Sequence, residues 1–191
     1  MIGRSGLLLC AVGSLAALDD APARRVADLR IFAGVTDGYE FLNVDGDDGL
    51  RVGAGYFRSF VDDYEGDVSG LMVGLEVAGT RSDGPDIDIE TIAATGHIGL
   101  AYQTDVRQLH LELGPLFGIG RNSVEFVGES TSGTYYEAGV RGALFWTFDA
   151  GLQLGIDARW QTARAYIDVA DERRSAESRG FMGSAVVGWR F

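Results

Sequence analysis

Gly180-Phe181-Met182-Gly183-Ser184-Ala185-Val186-Val187-Gly188-Trp189-Arg190-Phe191, the last twelve residues of the chain, decide how the rest is read. Positions sharing parity with Phe191, namely Trp189, Val187, Ala185 and Phe181, are apolar apart from Gly183, whereas the opposite parity carries Arg190, Gly188 and Ser184. Side chains of a strand alternate between two faces, so one face of this segment suits hydrocarbon and the other tolerates water or charge. Working back from it, the same period-two alternation recurs in eight segments: 27–36, 50–60, 68–80, 91–103, 107–120, 135–148, 152–162 and 180–191. The apolar parity holds Leu29 and Ile31, Val52 and Ala54, Val73 and Leu75, Ile98 and Leu100, Leu111 and Leu113, Val140 and Leu144, and Leu154 and Ile156. Eight amphipathic strands of roughly ten residues are enough to close the smallest membrane-spanning barrel.

Composition agrees. The chain has 191 residues, net charge −12 and 46% hydrophobic residues, which suits one domain with a real core. A mean hydropathy of +0.05 is compatible with a barrel, because wall-facing and lumen-facing residues cancel in any average. All 16 basic residues are arginine, and without a basic stripe nucleic acid is not an expected partner. Residues 1–23 read as a secretory signal peptide, with Arg4 before the apolar run from Gly6 to Leu18 and small residues at Ala21 and Ala23. Residues 24–191 are then the barrel. Cys10 is the only cysteine and falls in the leader, so no disulfide framework is expected.

Connections at 37–49, 81–90, 121–134 and 163–179 read as long and polar, and alternate with shorter ones at 61–67, 104–106 and 149–151. Long loops outside and short periplasmic turns place both chain ends in the periplasm. Gly151 in Asp149-Ala150-Gly151 suits the left-handed position of a three-residue hairpin. Aromatic residues fall where interfacial girdles belong: Tyr102, Trp146, Phe148, Trp189 and Phe191 at the inner end, Tyr136, Trp160 and Phe181 at the outer end. Pro115 in the fifth segment predicts a bulge or an early strand end. Arg58 shares lipid parity with Tyr56 and must reach the interface or follow a register change.

The inward parity holds Arg51, Glu76, His97, His110, Glu112, Glu137, Arg141, Asp157, Arg159 and Arg190. Charges in a narrow barrel must pair. A tight turn sets Arg141 opposite Arg159, tolerable only with Glu112, Glu137 or Asp157 between them, so the lumen is expected to be plugged by a network of Glu76, His97, His110, Glu112, Glu137, Arg141, Asp157 and Arg159. A tight hairpin would bring His97 across from His110 or Glu112. With no third histidine or cysteine, the expected role is hydrogen bonding, with no metal and no cofactor. The run from Asn43 to Gly49 looks like the start of a calcium loop, but its twelfth position is Ala54 and the bidentate carboxylate is missing. Weak divalent cation binding at the acidic outer loops is the expectation there.

The final segment resembles the C-terminal assembly signal of outer-membrane proteins, and residues 27–191 resemble the small eight-stranded barrels typified by the transmembrane domain of outer-membrane protein A. That resemblance implies an all-β, eight-stranded antiparallel up-and-down transmembrane barrel with a polar, side-chain-filled lumen, in the bacterial outer membrane. It also implies a non-enzymatic structural or interaction protein, whose partners are outer-membrane lipids and the barrel-assembly machinery that engages the C-terminal strand. An enzyme modifying outer-membrane lipid is the first alternative, though His110 in Leu109-His110-Leu111-Glu112 lacks a nearby hydroxyl nucleophile. A soluble lipocalin-like carrier is the second, and it would need apolar residues inside and charges outside.

Overall fold

A computed structural model describes residues 24–37, 40–41, 44–45, 47–64, 67–84, 87–103, 108–126, 129–169 and 172–191. The expected leader, residues 1–23, lies outside them, as do Asn43 and Gly46 of the acidic loop.

Eight long strands form the wall: β1 (Arg24–Thr36), β2 (Gly49–Tyr64), β3 (Asp67–Asp83), β4 (Ile87–Gln103), β5 (Leu109–Phe126), β6 (Glu129–Thr147), β7 (Leu152–Val169) and β8 (Glu172–Arg190). Each pairs antiparallel with its sequence neighbour, and β1 pairs with β8 to close the barrel. A short ribbon, Glu40–Phe41 with Val44–Asp45, leans on β8 through Glu40 and Glu177. Following partners from Arg24 through Val61, Gly70, Ala101, Glu112, Ala143, Asp157 and Ser184 returns to β1 at Gly34, ten residues further along. Such a stagger tilts the strands, as closure of a sheet on itself requires.

The wall faces lipid. Ile92 is 67% exposed, Leu113 66%, Phe117 64% and Ile156 62%, while Glu76, Glu112 and Asp157 are buried inside. In water such an exterior would cost roughly 25 cal/mol per Å² of apolar surface, so the belt marks a bilayer-spanning barrel. The same orientation removes the lipocalin-like alternative, whose apolar side chains would point inward.

Two expectations are corrected. The outer connections are shorter than the polar runs suggest, because strands continue through residues 81–83, 87–90, 121–126, 129–134, 163–169 and 172–179. In these extensions both faces leave the hydrocarbon. The outward positions become polar, as at Glu90, Ser123, Ser132 and Arg164, so the test for outward apolar residues fails although the strand persists. At Pro115 there is neither a bulge nor a strand end. Pairing of β4 with β5 lapses at Ile98 with Pro115 and at Gly99 with Gly114, and resumes with unchanged register. The facing glycines make this possible: a β-carbon on Gly114 would sit 2.2 Å from the Ile98 carbonyl oxygen. Arg58 undergoes no register change, pairing with Val73 and Ala27, and its side chain is buried, with the guanidinium 5.7 Å from the Phe60 ring centre. The inner hairpin reads correctly: Gly151 has φ 86°, the left-handed region a β-carbon disfavours.

An ion-pair ladder across the lumen

Local sequence places the charges. On each strand the residues between two lipid-facing apolar side chains point into a cylinder too narrow for bulk water, so ionised groups there must satisfy one another. The structure joins ten of them into one continuous line. It starts at the inner end, where Arg190 Nε donates to Asp28 at 2.9 Å, and Asp28 also accepts from Arg30 at 2.6 Å. Arg30 grips Glu112 with both terminal nitrogens, at 2.7 and 2.6 Å, and Arg141 donates to the same carboxylate at 2.7 Å. Arg141 continues to Asp157, which Arg159 reaches from the other side at 2.7 Å. Arg159 then holds Glu76 bidentately at 2.5 and 2.8 Å. Arg51 links Glu76, at 2.6 Å, to Glu137, at 2.9 Å. Hydroxyls of Tyr135, at 2.8 Å, and Thr95 terminate the line on Glu137.

Cation and anion alternate throughout, five of each, so the formal charges cancel. Arg141 and Arg159 do stand opposite one another in the β6–β7 register, and Asp157 lies between their guanidiniums. Planar guanidiniums suit this chain because each can serve two carboxylates from one fixed fork. Aromatic rings pack the gaps. Arg30 lies 4.0 Å from the Phe145 ring centre and 4.5 Å from that of Phe57, with Arg141 4.9 Å from Phe57. Arg159 lies 5.4 Å from Phe32.

Asp28, Arg30 and the three phenylalanines are absent from the residues picked out of the sequence. Their signal was available, since Leu29, Ile31 and Ala33 on the outward parity leave 28, 30 and 32 pointing inward. The histidines do not meet. His97 is registered with Leu116, and His110 with Gln103. The connection after Gln103 is longer than a tight turn, with β5 beginning at Leu109, which shifts the two apart. His97 Nε2 lies 3.0 Å from Glu76, and His110 Nε2 lies 3.0 Å from Glu112 at the inner end of the lumen. Asp28, His110 and Glu112 are close enough to share an ion. Both carboxylates already serve guanidiniums, however, so a cation there would face Arg30, Arg141 and Arg190.

The aromatic residues expected at the girdles all point out of the wall: Tyr102, Trp146, Trp189 and Phe191 near the inner end, Tyr136, Trp160 and Phe181 near the outer. Of the acidic loops, the one after β3 has Asp83 and Glu90 paired with Arg81 at 2.7 and 3.5 Å, while Asp37 accepts from the Phe181 backbone N–H at 2.9 Å.

Neither a family model nor a curated protein matches the chain. Among solved structures it is similar to Ail, the attachment invasion locus protein of Yersinia pestis, at 16% identity and a TM-score of 0.50, over 87% of this chain and 98% of that one. It is also similar to neisserial surface protein A, at 18% identity and 0.43 over 87% and 94%, and to the outer-membrane protease OmpT of Escherichia coli, at 10% and 0.41 over 90% and 97%. With its closed wall, lipid-facing exterior and the fold it shares with Ail, the chain is a small eight-stranded β-barrel of the bacterial outer membrane.

Proposed function

We propose that this protein is a non-enzymatic, non-conducting element of the outer membrane, acting through the hairpins that project beyond its apolar belt. The ion-pair ladder carries this reading. It runs from β8 and β1 across to β6, and an open pore through it would leave buried guanidiniums without partners, at several kcal/mol each. Among the described residues, the two histidines are buried in this network and not presented toward lipid. That speaks against lipid-modifying chemistry, which needs a base beside a nucleophile within reach of the substrate. The projecting hairpins on β3 to β8 offer polar surface, and connecting segments of this kind tolerate change without disturbing the strands they join. Ail, which shares the fold, is an attachment invasion locus protein, and a contact role for the hairpins here is in keeping with that. We also assign the apolar outward face of the C-terminal strand to recognition by the assembly machinery.

Planar-bilayer recording with the purified barrel tests closure. The expected trace shows no unitary conductance, whereas a stable ohmic channel refutes the plugged lumen. Lipid extracted from cells with and without the protein is expected to give identical mass spectra, and a new or missing lipid species refutes the non-enzymatic reading.

A further inference from the structure

Seven of the pairings that close the wall join strands that are consecutive in sequence, and one, β1 with β8, joins the first to the last. A hairpin fixes the register of the two strands it connects, and this seam has none to fix it. Parity settles only part of the question. A slip by one residue would turn Asp28 and Arg30 toward lipid, whereas a slip by two keeps every side chain on its own face. The outward seam pairs are Leu29 with Trp189, Ile31 with Val187, Ala33 with Ala185 and Val35 with Gly183, and a slip by two exchanges apolar partners for apolar partners. Apolar contact is non-directional and does not distinguish them. At the outer end Asp37 accepts from the Phe181 backbone N–H at 2.9 Å. That contact is equally blind to a slip by two, because every second backbone N–H of a strand points to the same side.

The inward face does discriminate. Nine residue pairs cross the seam, and Asp28 with Arg190 is the one pair of opposite charges among them. Arg190 donates to both oxygens of Asp28, at 2.9 and 3.2 Å, and Asp28 is fully buried. In one slipped register Arg30 would face Arg190, and Asp28 would lose its partner on β8. In the other, Asp28 would face Gly188 and Arg190 would face Val26. Both leave buried charge uncompensated. Arg190 is also held independently of β1, since the Gln153 amide of β7 lies 3.0 Å from its guanidinium. A group positioned in advance loses less freedom when its partner arrives.

We propose that Asp28 and Arg190 form a register latch: their ion pair selects, among the ways of closing the barrel that keep parity, the one that aligns the lumen. A slip by two displaces β1 along β8 by roughly 7 Å. That would carry Arg30 out of contact with Glu112, which it holds at 2.7 and 2.6 Å from the far side of the lumen. The cross-lumen pairs form only once this register is set.

Solution NMR of the barrel refolded from urea into detergent micelles reads the register through amide-to-amide contacts across the seam. Wild type is expected to show Ile31 against Val187 alone. R190Q is expected to add contacts of Ile31 with Ala185 or Trp189 at no less than about a tenth of the native intensity, since losing two charge-assisted contacts brings the registers within about tenfold of one another. R190K keeps the charge and restores the single set. G188R/R190G moves the cation two residues along β8 and is expected to move the register with it, so that Ile31 meets Ala185; this variant carries the test where R190Q does not refold. I89A weakens the barrel away from the seam and leaves the register single, which separates a latch from a general loss of stability. Heat-modifiable migration confirms that each variant is folded. Native contacts alone in R190Q or in G188R/R190G overturn the proposal, because the cross-lumen ladder would then fix the register unaided. Slipped contacts in I89A or R190K overturn it as well.

Discussion

Two stretches of the barrel interior have the same inward parity and opposite chemistry. At mid-lumen the inward residues are Arg30, Glu112, Arg141, Asp157, Arg159 and Glu76, all buried and all paired. Toward the outer end the inward residues among those described carry no buried charge and include Ile89, Ala93, Val124, Tyr135, Ala163, Ala165 and Ala176, which pack into an apolar cluster beside neutral Thr91, Asn122 and Gln161. The surroundings of the wall explain the reversal. Inside the bilayer the exterior must be apolar, so burial of grease gives no reason to point inward, and the interior is free to hold charges that cross-link all sides. Above the bilayer the exterior is wet, and the hairpins stay upright only by burying apolar side chains between them, as a soluble sheet does. Tyr135 joins the two regions: its ring belongs to the apolar cluster and its hydroxyl donates to Glu137 at 2.8 Å.

The sharpest way to break this contrast is at Glu112. E112A strips a carboxylate from Arg30 and Arg141 at once, leaving Arg30 only Asp28 and Arg141 only Asp157 with one buried positive charge uncompensated, and should destabilise the barrel by about 3–5 kcal/mol. Tryptophan fluorescence during urea unfolding in lipid vesicles measures it; a loss under 1 kcal/mol would show that water fills the lumen and that the ladder is not structural. Next comes the lipid side of the same level. L113R puts a guanidinium into hydrocarbon and should cost about 2–4 kcal/mol in vesicles. The same variant in a soluble carrier would be nearly silent.

I89A probes the other region. It opens a cavity in the outer-end cluster and should cost roughly 2–3 kcal/mol locally. Because the spanning strands have their own ladder, hydrogen exchange is expected to accelerate around the β3–β4 hairpin while amides near Arg141 and Asp157 keep their protection. Uniform acceleration would mean that the two regions unfold as one. The smallest effect belongs to Tyr135. Y135F removes one hydrogen bond from Glu137, which still has Arg51 and Thr95, so a change of about 1 kcal/mol in the vesicle unfolding midpoint is expected.

Much of the fold was legible because membrane strands obey one strict rule. Leu111, Leu113 and Ile156 had to face outward once a period of two was recognised, and a one-residue slip would have turned every charge into lipid. The rule stops where lipid stops. In sequence, residues 121–134 look like a loop because Arg121 and Ser123 replace outward apolar residues, yet the alternation continues inside as Asn122 and Val124, both buried. The site was half legible. Arg141 facing Arg159 across a short hairpin follows from local register, whereas the grip of Arg30 on Glu112 joins residues 82 apart in sequence and needs the closed barrel to bring β1 across to β5.

Sequence alone determined which residues face hydrocarbon and which are forced to find ionic partners, because strand geometry converts odd and even positions into outside and inside. Tertiary structure alone decided which residues of distant strands pair. Closure with a ten-residue stagger sets the heights at which distant strands meet. Those heights thread the ladder through Asp28 and Arg30, which reach Glu112 from across the lumen.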